Sequence, residues 1–170
     1  MVQTLYRHAT NVYESSTKLE RMTRWLDDDE QRTWRNYLAV TQLVQEALDR
    51  QLQREAGMPH TYYMILVALS EAPGRSMRMH ELARRAQASQ SRLSHAVARL
   101  EERGWVCRNP CAADKRGNIA ELTDAGFAAL AAAAPGHVEE VRRSLFDALT
   151  PEQVTQLDEI CAAVRNTLES

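Results

Sequence analysis

Residues 88–126 read ASQSRLSHAVARLEERGWVCRNPCAADKRGNIAELTDAG, and the reading of this stretch decides the fold. Leu93, Ala96, Val97 and Leu100 recur on one side at about 100° per residue, which predicts an amphipathic helix over 90–103. Ser89 is placed to cap its start, and Gly104 to stop it. The opposite side carries Ser91, Ser94, His95, Ala98 and Arg99. These are small or hydrogen-bonding residues, which is what an element entering a major groove requires: close approach, with donors and acceptors able to meet base edges. After Gly104, Trp105-Val106-Cys107-Arg108 alternates like a strand, Asn109-Pro110 begins a long polar tip that holds Asp114-Lys115-Arg116-Gly117, and 118–122 returns as a second strand. Thr123 caps the next helix. A helix, a hairpin and a helix in this order predict a recognition helix followed by a basic wing.

Upstream, Met79, Leu82, Ala83 and Ala86 form the inner face of a preceding helix, with Gln87 and Ala88 as the turn. Residues 75–78 read as a brief strand or loop. The apolar run 61–70 is a short core helix between the Met58-Pro59 break and Ala72-Pro73-Gly74. From Glu30 to Glu55, Trp34, Tyr37, Leu38, Thr41, Val44, Leu48 and Leu52 recur at three- and four-residue steps, the spacing of one face of a long helix that Gly57 ends. Val40, Leu43 and Ala47 make its other side apolar too, so a second covering, from another subunit, is expected. Asp29 is the expected N-cap of this helix, and 1–28 an arm or short extra helix.

Downstream, the alanine-rich 125–134 favours helix, Pro135-Gly136 is expected to interrupt or kink it, and Val138, Val141, Leu145 and Leu149 continue a stripe. Thr150-Pro151-Glu152-Gln153 is a strong helix start. Beyond it Val154, Leu157, Cys161, Val164 and Leu168 step by three and four, a narrow seam suited either to helix pairing or to ordinary core packing. The predicted fold is therefore mainly α with a small β-hairpin wing: a winged helix-turn-helix plus a helical dimerisation region. Its expected parts are 1–28 as the arm, 29–57 with 124–170 as the dimerisation region, and 58–123 as the DNA-binding lobe.

A chain of 170 residues buries roughly 68–70% of its unfolded surface, enough for a real core without disulfides. Net charge is −2, but it is unevenly spread: residues 75–116 hold ten Lys/Arg against four Asp/Glu. A basic module inside an acidic chain suits DNA attraction as well as a merely solvated face. The three cysteines, the lack of a long apolar run and the lack of a signal-like start favour a cytoplasmic location over secretion or a membrane. Ser94 and His95 are adjacent on a helix and point about 100° apart, so they make no nucleophile–base pair. No catalytic constellation stands out, and the histidines and cysteines are too scattered for a metal site. No cofactor is expected. Cys107 and Cys111 lie about 13 Å apart along an extended strand, too far for a disulfide unless Pro110 bends the chain.

Asp114-Lys115-Arg116-Gly117, followed by Ala120-Glu121-Leu122-Thr123-Asp124-Ala125-Gly126, resembles the wing signature of the MarR family of bacterial regulators. The segment from Ser89 to Val106 is similar to the family's recognition helix and its exit into the wing, and the likeness covers about residues 30–170. What the resemblance implies is a homodimer whose first and last helices interlock above two DNA lobes, with repression relieved by a ligand or by oxidation. Organic-peroxide sensors of the family carry a cysteine in the first-helix region; here none precedes Cys107.

The expected partner is double-stranded DNA bearing a pseudo-palindromic operator. Its expected contacts are Ser89, Gln90, Ser91, Arg92, Ser94, His95, Arg99, Lys115 and Arg116, with Asp114 and Gly117 supporting the wing. Arg116 at a hairpin tip suits a narrow minor groove, Asp114 holding its guanidinium, and Lys115 suits a phosphate. Trp34, Tyr37, His60, Tyr62 and Tyr63 are candidates for a small aromatic effector, with plain core as the other reading. Two further readings stay open: a winged helix used for protein docking, and a redox-responsive regulator using Cys107 and Cys111.

Overall fold

The structure, a computed structural model, describes residues 23–86, 88–111 and 114–170; for 110, 111 and 114–117 it describes the backbone alone. The chain divides into two compact units, Met1–Val40 and Thr41–Ser170.

The first unit holds the start of α1 (Asp28–Ala56). Its cap is Asp27, not Asp29: Asp27 Oδ1 accepts from Glu30 N at 2.8 Å while Glu30 Oε2 accepts from Asp27 N at 3.0 Å. A carboxylate reaching back to close such a pair needs its partner three residues earlier, which Asp27 supplies. Asp29 instead pairs with Arg32 at 2.6 Å. The proposed arm lies outside the described residues except for 23–28.

The second unit runs from the rest of α1 through α2 (His60–Ser70), β1 (Ser76–Arg78), α3 (Met79–Arg85), α4 (Gln90–Glu102), β2 (Val106–Cys111), β3 (Asp114–Leu122) and α5 (Asp124–Ser144) to α6 (Pro151–Glu169), with one-turn 3-10 helices at Pro73–Arg75 and Phe146–Ala148. Mainly helical structure with a small antiparallel sheet is the predicted class. The sheet has the order β1-β3-β2, with Met77 opposite Ala120 and Val106 opposite Leu122. Leu52, Met58, Ile65, Leu66, Leu69, Leu82, Leu93, Val97 and Leu100 are sealed in one core. Alternation along β3 and the 3.6 period of α2 and α4 bring these apolar residues together.

Three expectations are corrected. The wing's tip is shorter than read: β2 pairs with β3 through Pro110 opposite Asn118 and Cys111 opposite Asp114, with a bulge between Pro110 and Cys111. Asp114-Lys115-Arg116-Gly117 thus opens β3. β2 is an edge strand, where the N–H that proline lacks is not missed. Pro135 does not interrupt α5, which is continuous to Ser144. Ala131, four residues back, lies on the exposed side with Pro135, so solvent answers the carbonyl left without its donor. The stripe beyond it is cut short, because the helix ends before Leu145 and Leu149.

Ordinary core packing does not account for the last helix. α6 has no buried residue in the single chain, and Val164 and Leu168 are 56% and 81% exposed. Its start is as read: Thr150 and Gln153 form a reciprocal capping box behind Pro151.

Candidate nucleic-acid interface

Helix α4 starts on Ser89, whose Oγ accepts from Arg92 N at 3.3 Å. It ends in a Schellman motif: Trp105 N donates to Leu100 O, Gly104 N donates to Glu101 O, and Gly104 takes the left-handed φ of 71°. Leu93, Ala96, Val97 and Leu100 are buried, so the helix has one rotational setting. That setting leaves Gln90, Ser91, Arg92, Ser94, His95 and Arg99 exposed as one surface, with Ala98 half-buried beside them. Ala88 N donates to Ala83 O at 2.9 Å, tying the turn to α3. Gln87 lies outside the described residues.

Two acids near the end of α4, Glu101 and Glu102, are each held by an arginine. Glu102 pairs with Arg99 at 2.7 Å, and this contact raises the arginine's pKa further. Glu101 takes Arg108 twice, from its guanidinium at 2.5 Å and from its backbone N–H at 3.0 Å. Glu101 therefore clamps α4 to β2, the first strand of the wing. Arg103, next along, donates to Gly57 O at 3.0 Å and lies over the rings of Trp105 and Tyr62 at 4.9 and 5.7 Å. Thr123 closes the group: its hydroxyl donates to Gly104 O at 2.7 Å and accepts from Gly126 N at 3.0 Å. Sequence reasoning missed Glu101, Arg103 and Arg108 as supports of the interface, because their partners lie across turns or, for Gly57, 46 residues away.

The side chains of Asp114, Lys115, Arg116 and Gly117 lie outside the described residues, and so does the brace expected between Asp114 and Arg116. Cys107 is half-buried and unbridged; the side chain of Cys111 is likewise outside the description.

The aromatic candidates separate into distinct settings. In the first unit Trp34 and Tyr37 stack at 5.8 Å, 39% and 58% exposed. In the second, adjacent helical positions send Tyr62 toward Arg103 and Tyr63 toward the core, where its ring lies 4.2 Å from that of His137. His60 stacks on His137 at 5.5 Å, so His60 and Tyr63 converge on a residue that the sequence did not single out. Burial lowers the pKa of both histidines, Asp49 partly opposing this at His60, and the Tyr63 phenol is pushed up by burial. No group of three or more metal-binding side chains occurs among the described residues, and no described helix is long and apolar enough to cross a membrane.

An exposed polar helix face, fixed from behind and followed by a three-stranded wing, defines a winged helix-turn-helix protein. The profile of the MarR family matches residues 56–117. The fold is similar to that of Sco3205, a MarR family transcriptional regulator from Streptomyces coelicolor crystallised in complex with DNA: 54% identity, 87% of this chain and 92% of that one, TM-score 0.82. AbsC, a MarR family transcriptional regulator of the same organism, is 42% identical over 86% of this chain and 99% of its own, with a TM-score of 0.79. The HTH-type transcriptional regulator PecS of Dickeya dadantii (strain 3937) is 33% identical over 78 residues, 46% of each chain, so the match spans about half of that relative's length. The chain belongs to the MarR family of transcriptional regulators.

Proposed function

We infer that this protein is a cytoplasmic, homodimeric repressor, without enzymatic activity, that binds a pseudo-palindromic site in double-stranded DNA and is released by a small-molecule ligand. The observation that carries the reading is the outward face of α4, polar along its length and rigidly backed, on a chain 54% identical to a regulator crystallised with DNA. Residues 58–123 form the DNA-binding lobe, and 29–57 with 124–170 the dimerisation region. Ser91, Ser94, His95 and Arg99 face the major groove, and Ser89, Gln90 and Arg92 meet phosphate at the helix start. The two recognition helices stand about one turn (~34–36 Å) apart on one face of the duplex. Arg99 leaves Glu102 on binding, an exchange that costs little because exposed ion pairs are weak. Lys115 meets phosphate, and Arg116, steadied by Asp114 and the turn at Gly117, enters the minor groove.

A mobility-shift titration against the DNA upstream of its own coding region, at several salt concentrations, tests this. Preference for that DNA over random duplex, with affinity falling steeply as salt rises, is the expected result. Equal, salt-insensitive affinity for both would favour a winged helix that docks protein instead. Arg116→Ala is expected to cost about 1–3 kcal/mol of binding, and unchanged affinity would remove the wing from the interface.

A further inference from the structure

The turn that joins α2 to β1 places two residues in the left-handed region, Gly74 at φ 62° and Arg75 at φ 53°. Among the described residues Arg75 is the only non-glycine with a positive φ. Glycine adopts that conformation freely, whereas a Cβ there crowds the following carbonyl oxygen, so an arginine at this position costs stability. Two contacts of its side chain offset the cost. The guanidinium lies 4.0 Å from the centre of the Phe127 ring, and Nη1 donates to Asp124 Oδ1 at 3.1 Å. Both partners belong to the first turn of α5, three residues apart and so on one face of it. The side chain of Arg75 is 39% exposed and that of Asp124 fully exposed; at such exposure an ion pair or a cation–π contact contributes little. Cost and return are of the same small size. What the arginine adds is therefore geometry more than stability.

That geometry concerns the root of α5. Thr123, whose hydroxyl donates to Gly104 O, and Gly126, seated against the Trp105 carbonyl, hold the first turn to the backbone just past α4. Arg75 adds a second attachment across 49 residues of sequence, at the entry to β1, where Ser76 pairs with Glu121. From this root α5 runs for 21 residues, an arm of about 30 Å at 1.5 Å per residue. A rotation of about 6° at the root moves the far end by about 3 Å, close to the rise of one base pair. In a dimer joined through α5, that is enough to take one copy of α4 out of step with its half-site. We propose that Arg75 is a positioning residue for DNA binding: by fixing the angle between segment 58–123 and α5, it sets the separation of the two copies of α4, and hence the half-site spacing that the dimer accepts. This rests on the dimeric DNA-binding reading above. The guanidinium is engaged by Phe127 and Asp124 and makes no phosphate contact in this role.

The test compares the full-length wild type with Arg75→Gly, which relaxes the backbone and removes both contacts. Mobility-shift titrations use the site footprinted upstream of the protein's own coding region, and copies of it with one base pair inserted at, or removed from, its centre. Wild type is expected to bind the altered copies at least about tenfold more weakly than the natural site, and Arg75→Gly to narrow that discrimination to about threefold or less. Two further readouts separate positioning from other roles. The slope of log affinity against log salt is expected to be the same in both proteins; a slope lowered by about one means that Arg75 meets phosphate, and overturns the proposal. The Tm of Arg75→Gly is expected to stay within about 4 °C of wild type. A larger fall with spacing discrimination intact marks a plain structural support and overturns the proposal, as does unchanged binding to all three duplexes. Should Arg75→Gly fail to fold, Phe127→Leu, which leaves the turn and the ion pair in place, decides by the same spacing comparison. A wild type that does not prefer the upstream DNA removes the DNA-binding reading and this proposal with it; an indifferent Arg75→Gly beside a wild type that binds removes this proposal alone.

Discussion

Gly126 shows how one residue can set the attitude of the wing. A Cβ there would stand 2.1 Å from the carbonyl oxygen of Trp105 and 2.8 Å from Leu122 Cδ1. The first turn of α5 therefore packs on the backbone just past α4, at a distance that only glycine permits, while Thr123 caps that turn and ties it to Gly104. Gly126→Ala is expected to lower unfolding free energy by about 3 kcal/mol, since backbone, unlike a side-chain tip, cannot step aside; urea denaturation measures it. Glu101 is a second such residue. It is about a quarter exposed and accepts from Arg108 twice, so Glu101→Ala is expected to cost about 1–2 kcal/mol. Because the same change unpins β2 from α4, affinity for DNA is expected to fall further than stability alone explains, which a mobility-shift titration measures. A variant with full stability and full affinity would show that the clamp is idle.

Among elements, the packing of α2 against α5 carries the clearest pH signature. His60 opens α2 and His137 lies on α5, their rings stacked beside Tyr63, with His137 Nδ1 buried and without a hydrogen-bond partner among the described residues. Burial holds both histidines below their usual value of 6.5. A depressed folded pKa means that the unfolded chain takes up protons first as pH falls. The stability this pair contributes is therefore intact above pH 6.5 and declines as pH drops from there toward the folded values. The melting temperature is expected to fall between pH 7.5 and 5.5, and to fall less in the double variant His60→Gln, His137→Gln. Equal falls in both proteins would place the acid sensitivity elsewhere.

For the whole molecule, the exposed faces decide more than the core does. α6 presents Ile160, Val164 and Leu168 to solvent, and α1 presents Leu43 at 62% exposure. Faces of this kind on the first and last helices agree with the dimer proposed above, and a chain with its core already sealed gains nothing else from them. Wild-type protein is expected to elute with twice the chain mass on size exclusion with light scattering. Leu157→Asp with Val164→Asp is expected to give monomer that still folds, because neither residue is buried in the single chain, and to lose operator binding. A wild-type monomer would remove the dimer from the reading.

Much of this was legible along the chain, for a shared reason. Ser89, Thr123 and the Thr150 box cap helices through residues within three positions, and Leu93, Val97 and Leu100 reveal a face by period alone; both are local signals that sequence carries directly. The same is true of the wing's existence, although not of its length, since the pairing of Pro110 with Asn118 depends on which strand lies at the sheet's edge. The clamp from Glu101 to Arg108, the bridge from Arg103 to Gly57 and the meeting of His60 with His137 depend on contacts between separate elements, and no spacing encodes them. So the sequence by itself determined the helices, the wing and the polar face of α4. Tertiary structure alone decided what holds that face in place, where the aromatic residues go, and that Gln51 is buried with its Oε1 lacking a partner among the described residues, because burial is a property of how elements pack and not of their order.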